Sequence, residues 1–197
     1  MIRIGLTGGI GSGKTTVAKI FEVLGIPVYY SDTATRQLMN EDPELRKIIE
    51  ANFGKDSYTE NILNRSYIAS IVFNDAGKLE LLNSLTHPAT ILHARQWMQQ
   101  QRSPYVIKEA ALIFESGSAA DLDYVIGVYA PLPLRIKRAM ERDGVSSEEV
   151  MKRMKRQINE DIKMKLCDFV ITNDENELVI PQVVNLHEHF LQLADKR

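Results

Sequence analysis

The sequence predicts an α/β fold: a parallel five-stranded sheet flanked by helices and interrupted by a helical insertion. Three observations predict it. A short β-like run at Ile2–Leu6 is followed by a glycine-rich turn, a helical pattern and a second strand pattern, and strand–turn–helix–strand order builds parallel sheets. The same alternation returns after residue 104. Between the two, residues 33–101 carry almost no strand pattern and several helical ones.

Ile2-Arg3-Ile4-Gly5-Leu6 is the first strand. In Lys14–Leu24, Val17, Ile20, Phe21 and Leu24 are apolar at i, i+3, i+4 and i+7, the spacing of one helix face. Gly25 suits the position after a helix, Pro27 follows, and Ile26–Tyr29 reads as the second strand. Pro43–Phe53 reads as a helix stopped by Gly54. Ile62–Phe73 and Ala76–Gln101 read as helices too, the last expected to kink or break at Pro88. Tyr105–Ile107 is the third strand and Tyr124–Tyr129 the fourth. Leu134–Arg142 is helical and ends at the Asp143-Gly144 turn. Ser146, with Glu149 three residues on, forms a capping box that opens a helix to about Leu166. Phe169–Ile171 is the fifth strand, and Glu177–Ala194 a closing helix.

The 197 residues include 24 Lys and Arg against 26 Asp and Glu, a net charge of −2, with 44% hydrophobic and 25% charged residues. These globular values exclude a disordered or collagen-like chain. The near-neutral balance argues against a nucleic-acid partner. No run of 18 apolar residues exists to span a membrane, and the apolar N-terminus is too short for a signal-peptide core. The single cysteine, Cys167, cannot form an internal disulfide, so a reducing compartment, the cytoplasm, is expected. A monomer satisfies everything in the pattern.

Gly8-Gly9-Ile10-Gly11-Ser12-Gly13-Lys14-Thr15 fits G-x-x-x-x-G-K-[ST]. Glycines let the backbone curl until its N–H groups point at one phosphate group, and the following helix adds its positive end. Lys14 can reach the β- and γ-phosphates and the Thr15 hydroxyl can ligate Mg²⁺. Gly9, Gly11, Ser12, Gly13, Lys14, Thr15 and Thr16 are thus candidate nucleotide-binding residues. The alternative is a glycine-rich turn with a chance lysine. A strand before the loop and a helix after it favour phosphate binding.

A kinase built on this loop must also bring an acceptor to the γ-phosphate and exclude water. Asp32 lies just past the second strand, where an acid can take a proton from an attacking hydroxyl. It can equally cap the helix that follows. Residues 135–165 hold ten basic and six acidic side chains, as a closing lid would. Arg138 and Arg142, one helix face at i and i+4, and then Arg153 are the candidates to stabilise the transferring group. A solvated face accounts for most of the other charges. His87, beside Pro88 in the insertion, can contact an acceptor or serve as a structural histidine. Glu109, after the third strand, can support Mg²⁺-bound water or be a loop residue. His93, His187 and His189 read as structural or solvated, Cys167 as core, and Trp97 as packing. A nucleotide-switched module of GTPase type would carry Asn-Lys-x-Asp after a late strand. Thr172-Asn173-Asp174-Glu175 has no lysine there.

Together these residues resemble the dephospho-CoA kinase family. The run from Ile4 to Ala18 is very close to that family's version of the loop. Leu24-Gly25-Ile26-Pro27-Val28 and Asp32 follow at its spacing. Further matches are Leu85-Thr86-His87-Pro88, Ala111-Leu112-Ile113-Phe114-Glu115, Lys137–Asp143, and Arg153 with Gln157. The resemblance implies a P-loop NTPase-type fold with a nucleotide-binding core (1–32, 103–135 and 167–197), a helical acceptor domain (33–102) and a lid (136–166). It implies transfer of the ATP γ-phosphate to the ribose 3′-hydroxyl of dephospho-CoA, with Mg²⁺. Asp32 would be the base or hydroxyl-orienting acid, Lys14 and Thr15 would serve the triphosphate and Mg²⁺, Arg138, Arg142 and Arg153 would face phosphate, and His87 would lie in the substrate region. The chain departs from the family twice. Tyr30-Ser31-Asp32 stands where Asp-Ala-Asp is common, and Glu109-Ala110-Ala111-Leu112 replaces a Pro-Leu-Leu-type segment.

Overall fold

The computed structural model describes residues 1–196. They form two compact units, one of residues 1–29 and 100–196 and one of residues 30–99.

The first unit is built on a five-stranded parallel sheet. Its strands are β1 (Ile2–Thr7), β2 (Val28–Tyr30), β5 (Tyr105–Glu109), β6 (Tyr124–Tyr129) and β7 (Phe169–Thr172), in the order β2-β5-β1-β6-β7. The central position of β1 explains its apolar run: Ile2, Ile4 and Leu6 are essentially fully buried, as in a sheet covered on both faces. Leu6 pairs with Glu109 on one side and Ile126 on the other. That register brings the end of β5 beside the start of the glycine loop.

Helices α1 (Lys14–Val23) and α9 (Val179–Asp195) belong to this unit. Val17, Ala18 and Phe21 form the buried stripe of α1. Phe21 meets Tyr105 edge-on at 6.3 Å, and Phe190 of α9 lies 5.5 Å from Tyr105 and 5.3 Å from Phe169. Offset and edge-on aromatic pairs of this kind dominate such a core. His187 Nδ1 lies 2.7 Å from the Tyr105 hydroxyl, in the structural role expected of it. Burial pushes that phenol's pKa up.

The charged stretch folds as α6 (Leu132–Asp143), α7 (Ser147–Met154) and α8 (Glu160–Lys165). The Ser146–Glu149 capping box is present. The single helix expected from Ser146 to about Leu166 is instead two. Asn159 caps a new start, accepting from Asp161 N at 2.8 Å, and the Ile158 N–H is drawn to the Glu115 carboxylate at 3.1 Å. Asn followed by two acids is a helix-start pattern.

The second unit is helical: α2 (Ser31–Glu41), α3 (Pro43–Phe53), α4 (Arg65–Asn74) and α5 (Ala76–Gln99). Leu45, Ile49, Phe53, Leu63 and Ile68 are its buried centre. A two-residue turn with positive φ at Glu60 and Asn61 joins β3 (Tyr58–Thr59) to β4 (Ile62–Leu63), a small hairpin the strand pattern does not announce. Its second strand lies at Ile62, where a helix was expected to begin. The Asn40 side chain holds it by accepting from Leu63 N at 2.8 Å. The helix α5 runs on through Pro88 rather than breaking, because α2, α3 and α4 all pack against it.

Candidate active site

Gly13 takes a left-handed conformation, φ 96°, at the start of α1, which only glycine adopts without strain. The loop's backbone groups then divide into two sets. Gly9 N donates to Glu160 Oε1 at 3.1 Å, Ile10 N to Gln157 Oε1 at 3.2 Å, and Ser12 N to Gly9 O at 3.1 Å. Thr16 N donates to Gly13 O at 3.0 Å, within the first turn of α1. Among the described residues, Gly11 N and Gly13 N have no protein acceptor. They are the open donors at the positive end of α1, which is the arrangement that binds an anion. Ser12 is fully buried, with its hydroxyl unpartnered among the described residues. Its carbonyl accepts from Asn173 Nδ2 at 2.8 Å.

Lys14 Nζ lies 4.0 Å from Glu109 Oε1, with both side chains largely buried. Glu109 is the last residue of β5 rather than a loop residue. Thr15 and Thr16 are exposed on the first turn of α1. A neutral hydroxyl and a buried carboxylate near one phosphate loop are hard oxygen donors, and they fit Mg²⁺. No cluster of three His, Cys, Asp or Glu suited to a metal occurs among the described residues.

The arginines lie as follows. Arg138 donates to Asn173 O at 3.1 Å and approaches Glu175 at 3.4 Å, so it faces the loop after β7. Arg142 is exposed and bonds Asp143 through Nε at 2.7 Å. Arg153 reaches the same carboxylate at 2.9 Å. Asp143 thus ties α6 to α7. The Arg142 hydrogen bond, its charge and that of Arg153 hold the carboxyl below the ordinary range.

Asp32 is the second residue of α2, which follows β2 directly. Its capping role does not hold: Tyr30 is the N-cap, and no side chain caps that end. Asp32 sits in the first turn, where the helix dipole favours a negative charge. His87 is half-buried on α5.

Sequence reasoning missed the side chains that hold the loop from outside. Arg135, in the first turn of α6, is only 5% exposed. It donates from Nε to Ile10 O at 3.1 Å and pairs with Glu160 at 3.2 Å. Lys163, fully buried, donates to Ala111 O at 2.9 Å and pairs with Glu115 at 3.2 Å.

A family model described as dephospho-CoA kinase matches residues 2–178. Relatives named dephospho-CoA kinase from Bacteroides fragilis (strain YCH46) and Porphyromonas gingivalis (strain ATCC BAA-308 / W83) are 38% and 39% identical. The first match covers 94% of this chain and 91% of the relative, and the second covers 95% and 94%. Among solved structures, a dephospho-CoA kinase from Campylobacter jejuni superposes with a TM-score of 0.70 at 29% identity, covering 96% of this chain and 97% of that one. A shikimate kinase from Bacteroides thetaiotaomicron, 13% identical with a TM-score of 0.56, covers 97% of this chain and 98% of its own, and shares the fold. By a family match over residues 2–178 and relatives 38% and 39% identical over nearly the whole chain, the chain belongs to the dephospho-CoA kinase family.

Proposed function

We propose that the chain transfers the γ-phosphoryl group of ATP to the ribose 3′-hydroxyl of dephospho-CoA, giving coenzyme A in the last step of its biosynthesis. The observation that carries this reading is the phosphate loop, with the open N–H groups of Gly11 and Gly13 beside a buried Lys14. The family match supports the acceptor.

Phosphoryl transfer asks a protein for positioning and charge stabilisation. Gly11, Gly13 and Lys14 grip the β- and γ-phosphates. Thr15 would hold Mg²⁺ directly and Glu109 would orient a water on it. When bound, the ion would supply positive charge against the phosphate groups. Asp32 takes or steers the proton of the 3′-hydroxyl. Residues 136–166 act as the lid: Arg142 and Arg153 exchange Asp143 for phosphate oxygens, and Arg138 supports them. Residues 33–102, His87 among them, hold the acceptor. The enzyme works in the cytoplasm.

An assay with ATP, Mg²⁺ and dephospho-CoA, its product identified by mass, tests the reading. Coenzyme A is the expected product. Transfer to free nucleosides or nucleoside monophosphates instead would make the chain a kinase of a different small acceptor. Tight GTP binding without transfer to any acceptor would make it a nucleotide switch.

A further inference from the structure

Three polar backbone groups at the front of the phosphate loop are held by side chains from far along the chain. Glu160 accepts the Gly9 N–H, Gln157 accepts the Ile10 N–H, and Arg135 donates to the Ile10 carbonyl. Arg135 and Glu160 are themselves paired at 3.2 Å, with side chains only 6% and 12% exposed. The same short segment reaches the loop after β5. Lys163 bonds Ala111 O and Glu115, and Glu115 accepts the Ile158 N–H. Residues 157–163 are therefore a strap joining the loops that follow β1 and β5.

Two glycines of the loop make room for this contact. A Cβ on Gly9 would overlap the Arg135 guanidinium, and one on Gly11 would overlap the Arg135 carbonyl. A loop so rich in glycine has many conformations to lose. Holding the Gly9 and Ile10 peptides removes that freedom before any nucleotide arrives, so the donors at Gly11 and Gly13 are already aimed. Arg135 has a second effect. Glu160 is an anion beside an anion-binding loop, and the guanidinium cancels its charge.

We propose that Arg135, Gln157 and Glu160 are positioning residues for the phosphate loop: they set its shape and neutralise its surroundings without touching the nucleotide. The proposal deepens the kinase reading and rests on it for its effect on turnover. Its effect on ATP affinity is measured independently.

The test is ATP affinity by titration calorimetry, with kcat and the KM of each substrate. Gln157→Met, which loses the acceptor for Ile10 N–H, weakens ATP binding about tenfold, as expected for one lost hydrogen bond to a rigid loop. Gln157→Glu, which keeps an acceptor but adds a negative charge beside the loop, regains only part of it. Arg135→Met weakens ATP binding more, and adding Glu160→Gln recovers part of the loss, because the uncompensated charge is gone. The KM for dephospho-CoA stays unchanged. A purely structural role would make the double variant at least as poor as the single one. ATP affinity within about twofold of the parent in both Gln157→Met and Arg135→Met, a change too small for one hydrogen bond, overturns the proposal. So does a loss that neither Gln157→Glu nor Glu160→Gln relieves. A parent protein that binds ATP but makes no coenzyme A would sink the kinase reading and leave the affinity test intact.

Discussion

The hydroxyls of Thr35 and Thr90 lie 2.8 Å apart and join α2 to α5. Thr35 is three residues past Asp32 and Thr90 three past His87. Residues at that spacing share a helix face. Asp32, itself exposed, and the half-buried His87 therefore each stand about one turn from that contact.

Asp32→Asn preserves shape and removes the carboxylate. Its ATP affinity is expected to stay at the parent's value while kcat falls by ~10²–10⁴, the range for a lost general base or orienting acid. Single-turnover transfer alongside an ATP titration measures both. An unchanged kcat removes Asp32 from the chemistry.

Ile49 is fully buried at the centre of the helical unit, among Leu45, Phe53, Leu63 and Ile68. Ile49→Ala is expected to cost ~2–5 kcal/mol, from lost burial and the cavity left behind. Urea unfolding followed by circular dichroism reads it. A loss under about 1 kcal/mol, below the range for cavity creation, would show that the cluster repacks freely.

Asp143 titrates below the ordinary carboxylate range because Arg142 and Arg153 bond it. A depressed folded pKa gives stability that is present above the unfolded pKa and lost as pH falls through the folded value. The link between α6 and α7 should weaken below about pH 4, where carboxylates begin to protonate. Melting temperatures of the parent and Asp143→Asn should differ near neutrality and converge in acid. Equal melting at every pH would mean that the two ion pairs contribute nothing.

Burial pushes the Cys167 thiol up to about 12, with Sγ 3.2 Å from the Lys163 carbonyl. At pH 8 almost no thiolate exists to react. Labelling by a disulfide reagent should be slow in the native protein and fast in denaturant. Fast native labelling would reveal that α8 and the turn after it open readily.

Much of this protein was legible as sequence. The five strands and most helices fall within a few residues of their patterns, since alternation, 3.6-residue spacing, Gly25 and the Ser146–Glu149 box are local signals. The phosphate loop was legible because glycine spacing and Lys14 act within eight consecutive residues. The hairpin at 58–63 was not, since two-residue strands carry no periodicity. Nor was the break between α7 and α8, where the Ile158 N–H leaves the helix for Glu115. Of the candidate site, Lys14 was legible as the lysine of the phosphate-loop pattern, whereas its buried neighbour Glu109 depended on the pairing of β5 with β1.

The amino-acid order alone determined that a strand, a curled glycine loop and a helix would build an anion site, and that a helical unit would interrupt the sheet. Only the tertiary structure decided what holds that loop in shape. Gly9 and Ile10 bond side chains 151 and 147 residues away, and partners at such separation are chosen by the path of the chain over the sheet. A buried Arg135 or Glu160 leaves no mark in the sequence that distinguishes it from the exposed charges beside it, because burial is a property of the packed whole.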